Sequence, residues 1–90
     1  MNPRIDKYGN QFWYNEQGQV HRTDGPAVIH TDGSRAYSVN GKLHRLDAPA
    51  IIRAGGTQDW FIHGNRLTEE EFNDITQSEE HLNWYLLQIL

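Results

Sequence analysis

The sequence predicts a mainly β fold with an α-helical C-terminal end, in which an antiparallel meander of 23-residue hairpin repeats is capped by one or two short helices. A ten-residue segment that recurs after 23 residues, and tight-turn dipeptides between short apolar runs, predict the meander. A shift in composition at Thr68 predicts the helices. We therefore expect residues 1–67 to form hairpin repeats in a single domain and residues 68–90 to form an acidic helical cap.

The recurring segment occupies residues 20–29 and returns at residues 43–52, with six of the ten positions identical. Tyr37 and Trp60 share one aromatic position at the same spacing. A third, degenerate copy that contains Trp13 precedes them, and it fits the pattern if one residue is inserted around Asn15 to Gln17. Self-similarity at a fixed period indicates that one supersecondary unit is stacked several times.

Each copy is expected to form two short strands joined by a tight turn. The predicted hairpins are residues 27–31 with 34–39 around Asp32 and Gly33, and residues 50–63 around Gly55 and Gly56. Asn40 and Gly41 predict a second kind of turn, in which the backbone takes positive φ angles. Gly18 and Gly64 stand at the matching places of the other copies.

Two helices are expected after the hairpins. Thr68, followed three residues later by Glu71, has the pattern of a capping box and predicts a helix from Glu69 to about Ile75. Ser78 is expected to cap a second helix over residues 79–90. Its apolar residues are Leu82, Tyr85, Leu86 and Ile89 on one face, with Trp84 and Leu87 beside them. We expect these helices to cover the open end of the sheet, and the alternatives are a homodimer seam or a helix that docks into a partner.

Composition and charge exclude several classes of protein. The 90 residues contain no cysteine, which excludes a thiol nucleophile, and no apolar run approaches the roughly 18 residues of a membrane span. Residues 1–67 have a net charge of +2, whereas residues 68–90 have −6 and no Lys or Arg. A sparse positive charge does not make the dense basic face of a nucleic-acid-binding protein. We expect a cytoplasmic protein with neither a membrane nor a direct nucleic-acid partner.

The recurring segment resembles MORN-type repeats in their variant forms. The resemblance rests on the 23-residue period, an aromatic residue followed by Asn40 and Gly41, and the Asp-Gly hairpin, and it covers about residues 5–67. The segment also carries a His-Arg-x-Asp-Gly-Pro-Ala signature. This signature is similar to repeats of small proteins of bacteriophages and large DNA viruses. The resemblance implies a binding platform for proteins and sometimes for lipids, although the Gly-x-Gly core of standard MORN units is missing here. A viral origin would imply an inhibitor of a host protein that acts in the host cytoplasm.

The signature itself contains residue types that carry chemistry. His21, Arg22, Asp24 and Pro26 recur as His44, Arg45, Asp47 and Pro49. We interpret them as scaffolding, because a motif that recurs at the repeat period is part of the unit and not a unique active site. The aspartates are then expected to accept backbone N–H groups before the prolines and to pair with the arginines. The alternative is a metal-dependent site that uses the histidines and aspartates, joined by His30 or His63.

The regularly spaced aromatic residues predict a stacked core. If Trp13 and Trp60 face inward, the alternation of a strand turns Tyr14 and Phe61 outward. Exposed aromatic residues beside arginine are typical of protein-binding surfaces, and Arg22, Arg45 and Arg53 are candidates for the edge of such a patch.

The sequence thus predicts a non-enzymatic protein-binding module without a cofactor. In the most specific form of this hypothesis, the acidic helices offer carboxylates to a basic protein site that normally holds nucleic acid. The candidate binding residues are Tyr14, Arg22, Arg45, Phe61, Glu69, Glu70, Glu71, Glu79, Glu80, Trp84 and Tyr85. A metal-dependent site and a self-assembling structural unit are the competing hypotheses.

Overall fold

A computed structural model describes residues 2–89 and contains nine short strands followed by two helices. The strands are β1 (Arg4–Ile5), β2 (Gln11–Phe12), β3 (Val28–Ile29), β4 (Arg35–Ala36), β5 (Ser38–Val39), β6 (Lys42–Leu43), β7 (Ile51–Ile52), β8 (Gln58–Ile62) and β9 (Asn65–Leu67). The helices are α1 (Glu69–Thr76) and α2 (Glu79–Ile89). This arrangement confirms the predicted fold class.

Seven of the strands form an antiparallel sheet in the order β1-β2-β3-β4-β7-β8-β9, and β5 pairs with β6 in a second sheet. The hairpins β1–β2, β3–β4 and β7–β8 close through similar turns. In these turns Gly9, Gly33 and Gly56 have φ angles of 92°, 94° and 96°, a conformation that other residues rarely adopt. The glycines that separate the apolar runs therefore set the positions of the turns.

The predicted strand over residues 34–39 is interrupted at Tyr37 and forms β4 and β5 instead of one strand. Tyr37 lies between β4 and β5, because its N–H donates to the carbonyl of Ala50 while its own carbonyl accepts from the N–H of His44. In β8, Asp59 pairs with β7, whereas Trp60 and the next two residues pair with β9. Each of these segments changes partner at its aromatic residue and so takes part in two hairpins.

The second kind of turn also matches the sequence prediction. Asn40 and Gly41 have φ angles of 50° and 81°, and His63 and Gly64 have 48° and 82°. Two consecutive positive φ angles make the tight turn whose twist suits a two-residue hairpin. In the first copy a bridge joins Tyr14 to Val20, and the loop between them is one residue longer than the loop between Ser38 and Leu43, as predicted.

The buried core lies where the two kinds of hairpin meet. Its apolar members are Trp13, Ala27, Ala50, Ile62 and Phe72. Ala27 donates its N–H to Ala36 and accepts from the N–H of Trp13, and Ala50 donates to Asp59 and accepts from Tyr37. The backbone of each buried alanine therefore joins the segments on its two sides.

The helices begin where the sequence predicts. The Thr68 hydroxyl accepts from the N–H of Glu71 at 3.1 Å, and the Glu71 carboxylate accepts from the N–H of Thr68 at 2.8 Å, so both halves of the capping box form. The Ser78 hydroxyl accepts from the N–H of His81 at the start of α2. The predicted last residue of this helix, Leu90, lies outside the described residues.

The two helices pack in sequence order onto the end of the sheet. α1 contacts β8 and β9 and buries Phe72, and α2 contacts α1. The predicted inner face of α2 is half-buried, whereas Trp84 and Leu87 are 66% and 75% exposed. Within residues 2–89, neither helix has the length and apolar character needed to cross a membrane.

Replacing Phe72 with alanine tests how far the fold depends on α1. The side chain is 3% exposed, so the Phe72→Ala variant should lose about 3–5 kcal/mol of the free energy of unfolding in urea. The matched control is Leu87→Ala on α2, which should change this free energy by less than about 0.5 kcal/mol. Similar effects of the two substitutions would show that α1 contributes nothing to the stability of the sheet.

Candidate functional site

The arginines of the recurring motif lie flat against aromatic rings. The Arg22 guanidinium lies 4.0 Å from the centre of the Trp13 ring, and that of Arg45 lies 3.8 Å from the centre of the Tyr37 ring. Guanidinium groups are attracted to the faces of aromatic rings because the face carries partial negative charge. Both arginine side chains are about three-quarters buried, so they cover the rings from solvent.

The same arginines hold the loops that contain the prolines. Arg22 Nε donates to Asp24 Oδ1 at 2.8 Å, and its Nη1 donates to the carbonyl of Pro26 at 3.1 Å. Arg45 forms the equivalent bonds to Asp47 and to the carbonyl of Pro49, at 2.8 and 3.2 Å. Hydrogen bonding to Arg22, together with its charge, lowers the pKa of the Asp24 carboxyl.

This geometry confirms one part of the scaffolding prediction and corrects another. The aspartate–arginine pairs are present in both copies. The expected hydrogen bonds from backbone N–H groups of the turn to Asp24 and Asp47 do not form among residues 2–89, because the carboxylates are directed toward the arginine side chains. The loop backbone instead takes part through the proline carbonyl, which accepts a hydrogen bond from Nη1 of the arginine.

The histidines of the motif join one copy to the next. His21 Nδ1 accepts from the N–H of Asn40 at 2.9 Å, and His44 Nδ1 accepts from the N–H of His63 at 3.0 Å. Each of these hydrogen bonds therefore joins a motif histidine to the first residue of the tight turn in the following copy. A ring nitrogen can accept only when it carries no proton, so these bonds require a neutral imidazole with its proton on Nε2. Burial lowers the pKa of His44, and the neighbouring His63 lowers it further.

The structure brings together only some of the residues proposed for the alternative metal site. The ring centres of His44 and His63 lie 4.2 Å apart, whereas the ring of His30, the other proposed additional ligand, lies nearly perpendicular to that of Phe12. Among residues 2–89 no three His, Asp or Glu side chains are placed to hold a metal ion together. Because the Nδ1 atoms of His21 and His44 already accept backbone N–H groups, neither atom is free to bind a metal or a substrate proton.

The predicted patch of outward-facing aromatic residues does not form. Tyr14 and Phe61 are half-buried, and the Tyr14 ring lies against Phe12 and under the guanidinium of Arg4. Arg22 and Arg45 cover the inner rings, and Arg53 forms an ion pair with Asp59 at 2.6 Å. The prediction assumed that one face of a strand is solvated, but the segments change pairing partner at each aromatic residue and both faces acquire neighbours.

The acidic residues of the C-terminal part remain at the surface. Glu69, Glu70, Glu71, Glu79 and Glu80 are all exposed. The hydrogen bond from the backbone N–H of Thr68 lowers the pKa of Glu71, whose carboxylate belongs to the capping box. The ion pairs of the described chain use only Asp24, Asp47 and Asp59 as acids. The negative charge of the helices is therefore not compensated within residues 2–89.

The outer face of α2 combines this charge with apolar surface. Trp84 and Leu87 share an open surface of α2 with Glu79, Glu80, His81 and Asn83. Trp84 was predicted as a binding residue, and Leu87 was not, although it lies three residues further on the same helix face. Tyr85, also predicted, is half-buried, and burial raises the pKa of its hydroxyl, as does the charge of Glu71.

Comparisons with known proteins provide no relative for this surface. No protein-family model matches the sequence, and no similar curated protein or solved structure was found. The function has to be inferred from the side chains that the fold presents.

A lysine at position 45 should separate the charge of the arginine from its shape. Lysine keeps the positive charge but cannot donate along two directions from a flat group, so Arg45→Lys should lose about 1–2 kcal/mol of unfolding free energy. The control is Arg35→Lys, since Arg35 is exposed and has no ion pair within residues 2–89. Equal losses in the two variants would contradict the scaffolding role.

The His44 contact predicts a pH dependence of stability. Folding lowers the pKa of His44 below its ordinary value of 6.5, so on acidification the unfolded chain binds the proton before the folded chain does. The free energy of unfolding therefore decreases as the pH decreases. This contribution is complete above pH 6.5 and is lost as the pH falls through the lowered pKa. Urea unfolding at pH values from about 7.5 to about 5 should show it.

Two variants isolate this histidine from the others. His44→Gln removes the titrating group, so its unfolding free energy should depend less on pH than that of the unaltered protein. His30→Gln, at an exposed histidine, is the matched control for the substitution itself. A His44→Gln variant with the full pH dependence would assign the effect to another residue.

Proposed function

We propose that this protein is a non-enzymatic protein-binding module in which a MORN-like array of hairpins supports α2, and α2 presents the binding face. The observation that carries this proposal is the exposure of Trp84 and Leu87 beside Glu79 and Glu80. Large apolar side chains that stay exposed together on one helix face are typical of interaction sites.

The composition of this face indicates how it binds. A tryptophan supplies a large apolar area at the centre of an interface, and residues of this type often contribute most of the binding energy. Glu79 and Glu80 lie on the same surface, in the first turn of α2. Together with the acids of α1 they give residues 68–90 a net charge of −6. Such charge accelerates association with a basic partner and makes binding sensitive to salt.

We therefore propose a partner with a basic surface that otherwise holds nucleic acid. In this proposal the carboxylates of α1 and α2 occupy positions that phosphates would take, while Trp84 supplies the apolar contact. An inhibitor made by a bacteriophage or virus, directed against a host protein for defence or for handling nucleic acid, is the specific form suggested by the sequence signature.

A homodimer through the same helix face is the less favourable proposal. In a symmetric dimer each copy meets the same surface of the other, so two helical segments that each have a net charge of −6 would be brought together. Like charges at close range weaken association, and residues 68–90 supply no Lys or Arg to offset them. Charge thus favours a basic partner of a different kind.

Affinity capture from a lysate of the native or host cell tests the proposal. The full chain should retain a stoichiometric protein after nuclease treatment, and Trp84→Ala combined with Leu87→Ala should abolish its capture. The matched control replaces Ile5 and Tyr8, which are 62% and 70% exposed at the other end of the sheet, and should capture the same protein. Retention by both double variants would refute the α2 face as the binding site.

The charge of the face has its own test with the captured partner. Glu79→Gln combined with Glu80→Gln should weaken binding at low salt and reduce its dependence on salt concentration. Unchanged salt dependence would remove the basic partner from the proposal.

A further inference from the structure

Three aromatic residues occupy equivalent places in the sheet. Trp13 and Tyr37 each donate a backbone N–H to the alanine of the following motif, and each accepts one from the motif histidine. Trp60 stands 23 residues after Tyr37 and pairs with Leu67, which stands 23 residues after His44. The three rings therefore mark the same position in successive copies.

The first two rings are covered by an arginine and the third is not. Arg22 lies over Trp13, and Arg45 lies over Tyr37. The position that corresponds to these arginines in the last copy is Thr68, which caps α1. Within residues 2–89 the rings under a Lys or Arg are those of Tyr8, Trp13, Tyr14 and Tyr37, so Trp60 has no such contact.

A cavity of about 420 Å³ occupies this place beside Trp60. Leu67, Thr68, Glu69 and Glu71 are among the residues that line it. Glu69 is exposed and has no ion pair among residues 2–89, so its carboxylate is available to a cation. In the occupied sites the arginine likewise meets a carboxylate beside the ring.

The nearest arginine of the chain does not substitute for the missing one. Arg66 also borders the cavity, but it pairs in register with Phe61 and therefore belongs to the opposite face of the strands from Trp60. Its guanidinium donates to Asp59 at 3.0 Å. The cavity thus borders a half-buried indole without an arginine over it and an exposed carboxylate without an ion pair among residues 2–89.

We propose that the cavity beside Trp60 binds an arginine side chain of a partner protein. A guanidinium group would stack on the indole as Arg22 stacks on Trp13, while Glu69 accepts a hydrogen bond. Arginine is favoured over lysine because its flat group can stack and donate sideways at once. The arginine belongs to a bound protein, so this inference rests on the proposed binding function, although its site lies on β8, β9 and the start of α1.

A peptide titration followed by NMR tests this site without knowledge of the partner. The ¹⁵N-labelled full chain is titrated with acetyl-Gly-Arg-Gly-amide and, separately, with the lysine and citrulline versions of the same peptide. The signals of the three tryptophan indoles, Trp13, Trp60 and Trp84, are assigned with single Trp→Phe variants. We expect the arginine peptide to shift the Trp60 signal more than the other two indole signals, in a saturable manner with a dissociation constant on the order of millimolar or tens of millimolar.

The comparison peptides and two variants decide the outcome. Lysine should bind more weakly than arginine, and citrulline, which has the shape without the charge, should not bind. Glu69→Gln should weaken arginine binding about two- to fivefold, whereas Trp84→Phe should leave it unchanged. Equal shifts with all three peptides, a shift spread over all three indoles, or no saturable shift at Trp60 would overturn the inference.

The two proposals fail separately. If the arginine peptide shifts Trp60 while Trp84→Ala with Leu87→Ala still captures every partner, the site on β8 and β9 stands and the α2 face is wrong. If capture depends on α2 and the peptide leaves Trp60 unshifted, the arginine site is wrong and the proposed function stands.

Discussion

The stacking of an arginine on an aromatic ring is the contact on which the hairpin array depends. Arg22 and Arg45 each cover a core ring, neutralise an aspartate and hold the carbonyl of a proline. A chain of this size buries too little apolar surface to form a deep core, and its strands are mostly two residues long. The long apolar stem of arginine extends the core, while its charged end fixes the loop that leads to the next strand.

Each motif histidine accepts a hydrogen bond from a later part of the chain. His21 reaches forward to Asn40 and His44 reaches forward to His63, so each tight turn is held by the motif of the copy before it. At the first such turn in this sequence the Asn15 side chain accepts the N–H groups of Gln17 and Gln19. After the last turn Leu67 and Thr68 stand where a histidine and an arginine would follow, and a helix begins. The first tight turn and the start of α1 are therefore held by hydrogen bonds between residues close in the sequence.

The sequence predicted features that depend on neighbouring residues, and it did not predict contacts between distant ones. The tight turn at Asn40 and the helix start at Thr68 depend on residues within four positions of each other, and both were predicted correctly. The change of partner at Tyr37 was not predicted, because the apolar pattern continues through residues 36–39. The change depends on the carbonyl of Ala50 and the N–H of His44, which are distant in the sequence. The stacking of Arg22 on Trp13 likewise joins residues nine positions apart, at a spacing that has no general meaning in β structure.

The same reasoning indicates where binding can reside. In the interior copies the motif side chains already have partners, so the recurring residues are occupied by the fold itself. Trp60 lacks its arginine, and Trp84 and Leu87 lie exposed on a helix that has no counterpart in the hairpins. Under the proposed function, a partner would therefore contact the last hairpin and the helices rather than the motif side chains of the interior copies.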